Sequence, residues 1–222
     1  TASLDFNSRI RLENISFGYT GGNNVLNSIS FEIQKGEKIA ITGESGGGKS
    51  TLADLIIGIH KPTSGALYID NTLITSENIR SWRNKIGYIP QSIYLFDGTV
   101  AENITIGSTY DEEKIKSVLQ MANIWDFLET KEGINTKVGE GGIQLSGGQQ
   151  QRIGIARALY DNPEVLVLDE ATSALDTETE SKIMDEIYTV SRNKTLIVIA
   201  HRLSTVERCD RKIRIENGAM YE

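Results

Sequence analysis

The sequence predicts an α/β fold with a parallel-sheet core, an antiparallel β subdomain towards the N-terminus and an inserted helical subdomain. Three observations predict it. The apolar, strand-like runs Glu164 to Leu168 and Lys194 to Ala200 are separated by a helical pattern at Glu178 to Ser191, as parallel strands joined by a crossover helix and covered on both faces would be. A short buried strand, Lys38 to Thr42, runs into a glycine-rich stretch and then into an apolar helix at Leu52 to Ile57. Between about Ser92 and Asp161 helical spacing dominates (Ile115, Val118, Leu119, Ala122), with Trp125 and Phe127 as bulky anchors and no clear strand.

In chain order, residues 1–8 are polar and read as a linker or terminal remnant, and the main domain is expected over 9–222. Arg9 to Phe17 alternates apolar and polar residues like a half-buried strand, and Gly18 to Gly22 turns the chain. Val25 to Ile33 is a second strand, and its hairpin-length spacing from the first makes the early strands antiparallel. After the helix at Leu52 to Ile57, the break Lys61 to Gly65 precedes a strand at Ala66 to Ile69. A turn at Asp70 and Asn71, a short helix at Ser81 to Asn84 and a strand at Ile86 to Ile89 follow. The core is expected over about 9–91 and 162–222, the helical subdomain over about 92–161, and a final edge hairpin around Asn217 and Gly218.

Composition excludes several classes. With 222 residues, 39% hydrophobic and 24% charged, the chain has the profile of an ordinary globular domain. A net charge of -7 argues against a nucleic-acid surface, while leaving room for a locally basic nucleotide pocket. The one cysteine, Cys209, forms no internal disulfide and cannot hold a metal by itself. The longest apolar runs are too short to cross a bilayer, so the chain as given reads as soluble. Its first residue is Thr rather than Met, and the chain is read as cut from something longer.

The chemistry starts at Gly43, Glu44, Ser45, Gly46, Gly47, Gly48, Lys49, Ser50 and Thr51, which fit the phosphate-loop pattern G-x-x-x-x-G-K-[ST]. Glycines let the backbone curl with its N–H groups inward, and the following helix adds a positive end. Lys49 would neutralise the outer phosphates and Ser50 would hold Mg2+. The buried strand Val165 to Leu168 ends in Asp169 and Glu170. A carboxylate at such a tip needs a cation, so Asp169 is expected on Mg2+ with Ser50, and Glu170, one step on, is placed to deprotonate an attacking water. The stretch Leu145, Ser146, Gly147, Gly148 and Gln149 precedes another helical pattern, with Ser146 as its N-cap, and forms a second anion-binding helix end. Two phosphate-binding ends far apart in one chain suggest a nucleotide shared between two copies.

In order and spacing, Gly43 to Thr51, Gln91, Leu145 to Gln149, Val165 to Glu170, Ser173, Ala174, Leu175, Asp176 and His201 resemble the nucleotide-binding domain of ABC transporters. The resemblance covers about Arg9 to Gly218 and identifies a P-loop NTPase. It implies that Tyr19 stacks on the adenine of ATP, that Val25 also binds ATP, and that Gln91 approaches Mg2+, the attacking water and a membrane domain. It implies that Leu145 to Gln149 reach the γ-phosphate held by an opposite subunit, that Ser173 to Asp176 join the two sites, and that His201 is the switch histidine. His60, Trp82 and Trp125 carry no such match and read as structural or surface residues.

The implied activity is hydrolysis of ATP with Mg2+ in a head-to-tail homodimer, fused to a transmembrane domain of the same polypeptide on the cytoplasmic face of the inner membrane. The stretch Phe96 to Ile104 resembles exporters, and Gly87 to Gln91 with Lys182 to Tyr188 look similar to bacterial lipid-linked oligosaccharide flippases of the PglK type. Gly141 stands after Glu140 where exporter-type domains carry a basic residue in a contact to the membrane domain. An importer ATPase, a soluble non-transport ABC ATPase and a regulatory clamp that binds ATP without hydrolysis are the alternatives. The compact interval between loop and signature disfavours repair ATPases, and Glu170 with His201 disfavours a clamp.

Overall fold

The computed structural model describes residues 2–44, 46–170 and 176–222. Burial of Ile10, Leu12, Ile15 and Phe17 makes β1 (Arg9–Gly18) a one-sided strand, paired antiparallel with β2 (Asn24–Gln34). The buried β3 (Lys38–Thr42) and helix α1 (Lys49–Ile57) flank the glycine loop. Next come β4 (Ser64–Ile69), β5 (Thr72–Leu73), α2 (Ile79–Arg83) and β6 (Ile86–Ile89). The middle of the chain holds β7 (Gly98–Thr99), α3 (Val100–Ile104), α4 (Glu112–Met121), α5 (Trp125–Glu129), β8 (Lys137–Val138) and α6 (Gly147–Leu159). The chain closes with β9 (Val165–Asp169), α7 (Thr177–Val190), β10 (Thr195–Ile199), α8 (Leu203–Glu207), β11 (Arg211–Glu216) and β12 (Ala219–Tyr221).

The chain divides into two units, one running to Ile86 with Glu164–Glu170 and Lys194–Glu222, the other holding Gly87–Pro163 and α7 up to Asn193. In the first, the antiparallel sheet runs β2-β1-β4-β5, and the larger sheet contributes the strands β12-β11-β3-β10-β9 to this unit. There β11, β3, β10 and β9 are parallel neighbours, and the edge β11–β12 hairpin is antiparallel. Residues such as Ile39, Ile41, Val167, Ile197 and Ile199 are apolar and buried, in one core with α1 and the antiparallel sheet.

In the second unit α6 is the hub for α3, α4 and α7. The Arg152 guanidinium on α6 grips both carboxylate oxygens of Glu186 on α7 at 3.1 and 3.2 Å. Among the described residues no helix is long and apolar enough to cross a membrane.

Four expectations change. Residues 2–8 are packed rather than a loose linker: Leu4 and Phe6 are buried, Phe6 meets Trp82 edge-on at 5.6 Å, and Asp70 accepts from the N–H groups of Asn7, Ser8 and Arg9. Two apolar side chains at alternate positions were enough to anchor a segment whose polarity hid them. The helical stretch contains a two-residue strand pair, β7 with β8, too short for any period to show. The anchors of α5 are Ile124 and Leu128, which are buried, whereas Trp125 and Phe127 are half-buried. The second unit also extends beyond 92–161 to include α7, which the Arg152–Glu186 pair fastens to α6.

Candidate active site

The register of the parallel sheet assembles the site. Ile41 on β3 lies opposite Ile199 on β10, which lies opposite Asp169 on β9. Main-chain hydrogen bonds carry the alignment one residue further, from Ala200 N to Ile41 O at 2.8 Å and from Glu170 N to Ile199 O at 3.1 Å. The glycine loop, the Asp169–Glu170 pair and His201 therefore leave three neighbouring strands side by side at their carboxyl ends, where open α/β sheets bind ligands.

The loop needs its glycines for definite reasons. At Gly43 (φ 142°) a Cβ would lie 2.0 Å from Ile215 O, and at Gly48 (φ 103°) one would lie 2.8 Å from Leu26 Cδ2 and 3.4 Å from Val25 Cγ1. That contact sets Val25 against the loop. Lys49 opens α1 and is only 5% exposed, its Nζ donating to Gly43 O at 2.7 Å. Burial pushes the Lys49 ammonium below its ordinary value, while Asp169 and Glu170 oppose that shift. Ser50 is exposed at the start of α1, and Thr51 is buried. Glu44 and Gly46 are exposed, and Gly47 N closes the loop onto Glu44 O at 3.0 Å. Ser45 lies outside the described residues.

The two carboxylates at the tip of β9 differ in surroundings. Asp169 is 9% exposed, and its buried Oδ1 has no hydrogen-bond partner, being 3.8 Å from His201 Nε2, too long for a hydrogen bond. Burial raises the Asp169 carboxyl, the charges of His201 and Lys49 oppose, and Asp54 adds to the rise. A buried carboxylate oxygen without a donor beside a phosphate loop fits a divalent cation. Among the described residues no cluster of three or more His, Cys, Asp or Glu side chains could hold a metal, so such an ion would draw further ligands from phosphate oxygens.

Glu170, 2% exposed, is fully engaged. Oε2 accepts from His201 N at 2.7 Å and Arg202 N at 3.2 Å, and Oε1 accepts from the Thr205 hydroxyl. The carboxylate thus ties the turn at His201 and Arg202 to the end of β9. Sequence reasoning missed Thr205, since nothing in the pattern around it marks a partner in space.

Tyr19 follows β1, is 51% exposed, and its hydroxyl lies 3.3 Å from Thr51 Oγ1. Its ring meets those of Phe17 and His60 edge-on at 5.0 and 5.6 Å. His60, read from sequence as surface or structural, is therefore a neighbour of the expected base-stacking residue.

The remaining residues belong to the second unit. Gln91 is exposed just after β6. Ser146 caps α6 as expected, in a reciprocal arrangement: its Oγ accepts from Gln149 N at 3.2 Å, and Gln149 Oε1 accepts from Ser146 N at 2.9 Å. Leu145 is buried ahead of this cap, and the amides of Gly147 and Gly148 lead the helix at its positive end. The segment after Gln91 is fastened to α6. Arg157 donates to Asn103 O and Tyr94 O, both at 2.9 Å, and Ile93 Cδ1 sits where a Cβ on Gly154 would lie 2.2 Å away. Asp176 caps α7, with Oδ1 accepting from Thr179 N at 2.9 Å, and hydrogen bonds from Thr179 hold its carboxyl below the usual value. Ser173, Ala174 and Leu175 lie outside the described residues. Gly141 N donates to Asp97 Oδ1 at 2.8 Å, so the turn after Glu140 is held from within the same unit.

The chain is similar to known proteins over nearly its whole length. A family profile described as "ABC transporter" matches residues 26–173. An ATP-dependent lipid A-core flippase of Paraburkholderia xenovorans is 42% identical over 218 residues, covering 96% of this chain and 36% of that protein. A putative multidrug export ATP-binding/permease protein of Staphylococcus aureus is 44% identical over 217 residues, 96% of this chain and 38% of that one. A solved bacterial Atm1-family ABC exporter with ATP bound superposes with a TM-score of 0.88 at 38% identity, over 99% of this chain and 39% of that chain. The chain spans little more than a third of the length of these relatives. With the P-loop fold, the carboxylate pair and the family match in agreement, the chain belongs to the ABC transporter family, of which it forms an exporter-type ATP-binding, ATPase domain.

Proposed function

We propose that this chain is the motor of a membrane exporter, hydrolysing ATP at two sites shared across a head-to-tail homodimer and fused to a transmembrane domain that moves a lipid-like cargo. The observation that carries the reading is the shared carboxyl edge, where the loop of Gly43 to Thr51, the Asp169–Glu170 pair and His201 leave three adjacent strands. The lipid-like cargo and the position at the cytoplasmic membrane face rest on relatives named as lipid A-core flippases and exporters.

In this mechanism the triphosphate enters the glycine loop, and the Lys49 ammonium exchanges Gly43 O for phosphate oxygens. Tyr19 and Val25 take the adenine end. Ser50 and Asp169 would hold Mg2+, which when bound neutralises charge on the phosphate oxygens. Glu170 exchanges the donors of the switch turn for the attacking water and takes its proton as the water oxygen bonds to the γ-phosphorus and the bond to the β-phosphate oxygen breaks. His201, and Ser146 to Gly148 of a second copy, stabilise the charge on the transferring group. Ser173 to Asp176 link the two sites. Because ATP binds the closed dimer better than the open one, binding drives closure and hydrolysis releases it.

The test is Glu170→Gln. The variant is expected to bind ATP with ordinary affinity, to form an ATP-dependent dimer on light scattering, and to release phosphate at a rate lower by about 10^2-fold or more. Phosphate release at the unsubstituted rate would remove Glu170 from the role of base.

A further inference from the structure

The chain turn after α1 builds a feature that the phosphate chemistry does not use. Gly58 adopts φ 87°, and the N–H groups of Gly58 and Ile59 both reach back to Asp54 O, at 3.0 and 2.9 Å. The turn swings the His60 ring over Phe17, with centroids 5.0 Å apart and planes at 23°, and sets it edge-on to Tyr19 at 5.6 Å and 89°. His60 Nε2 lies 3.7 Å from Asp54 Oδ2, too long for a hydrogen bond, so the rings of Phe17 and Tyr19 are what set its position. Phe17 meets Tyr19 edge-on at 5.0 Å, and the Tyr19 hydroxyl reaches Thr51. Tyr19 thus sits in a glycine-rich turn with two rings and one hydroxyl defining its rotamer, while half of its surface faces solvent.

We propose that His60 is a positioning residue for nucleobase recognition: with Phe17 it holds Tyr19 pre-set as the platform on which a purine stacks. The inference rests on the reading of Tyr19 as the adenine-stacking residue and adds to it the partner that makes the platform rigid. A tyrosine in so open a turn would otherwise lose rotamer freedom when the base arrives, and pre-ordering removes that loss. The effect is expected on the base, because the His60 ring packs on Phe17 and Tyr19, the ring that a purine would meet.

The test compares a ligand with a base against one without, on the full chain and without divalent cations so that no hydrolysis intervenes. Isothermal titration with ATP and with inorganic tripolyphosphate gives both affinities for His60→Ala, His60→Phe and Tyr19→Ala. An edge-on aromatic contact is worth about two- to tenfold in affinity. His60→Ala is expected to weaken ATP by that factor with tripolyphosphate unchanged, and His60→Phe, which keeps a ring over Phe17, is expected to restore ATP binding. Unchanged ATP affinity in His60→Ala, an equal loss for both ligands, or a failure of His60→Phe to restore binding would each overturn the proposal. If Tyr19→Ala lowers the preference for ATP over tripolyphosphate and His60→Ala does not, His60 alone is wrong. If Tyr19→Ala leaves that preference unchanged, the stacking reading falls and takes His60 with it.

Discussion

Replacing Thr205 with Val keeps the shape of a buried side chain and deletes only the hydroxyl that donates to Glu170 Oε1. A buried acceptor stripped of its donor costs about 1–3 kcal/mol. Oε2 keeps the N–H groups of His201 and Arg202 at 2.7 and 3.2 Å, so the carboxylate is loosened rather than released. The loss should therefore fall at about 1–2 kcal/mol, the lower part of that range. If Thr205 orients Glu170 for the chemical step, the same energy lost from the transition state lowers kcat by about five- to thirtyfold. KM for ATP should stay constant, because the hydroxyl is directed at Glu170 and not at the nucleotide. Phosphate release under saturating ATP measures the first quantity and an ATP titration the second. Thr205→Ser, which restores the donor, should recover most of the rate. An unchanged kcat in Thr205→Val, or a KM that rises in step with a falling kcat, would refute the reasoning.

Two further outcomes follow from the same geometry. Lys49→Ala removes the charged donor of the loop, and ATP affinity measured with a fluorescent analogue should fall by about tenfold or more, the value of one hydrogen bond to a charged group; unchanged affinity would take Lys49 out of the site. Arg157→Lys keeps the charge but not the planar fork that spans Asn103 O and Tyr94 O. Burial already pushes the Arg157 guanidinium down, so a compact ammonium there should lower stability by about 1–3 kcal/mol in urea denaturation with the slope unchanged. A lysine variant as stable as the parent would show that the fork does not fasten the segment after Gln91.

Much of the site was legible because its parts are local. The loop from Gly43 to Thr51 needs consecutive glycines and a lysine, the Asp169–Glu170 pair ends an apolar run, and Ser146 caps its helix through Gln149 only a turn away. Each of these rests on neighbours in the chain, where residue type and spacing carry the physics. The parallel core was legible for the same reason, since strands such as Val165–Asp169 are apolar on both faces. What escaped depends on neighbours in space. Thr205 meets Glu170 across 35 positions, and His60 finds Phe17 only because a glycine reverses the chain after α1. Leu4 and Phe6 looked like part of a polar tail until Trp82 supplied the surface they cover. No period within a short window encodes such meetings.

The central claim is that the loop of Gly43 to Thr51 is half of a site whose other half, Leu145 to Gln149, comes from a second molecule. The dependence of phosphate release on protein concentration tests it most directly, with the association state followed in the same samples by light scattering. Specific activity is expected to rise with concentration, so that the total rate climbs more steeply than linearly until the dimer saturates. A specific activity that stays constant down to concentrations where every molecule is monomeric would contradict the shared site.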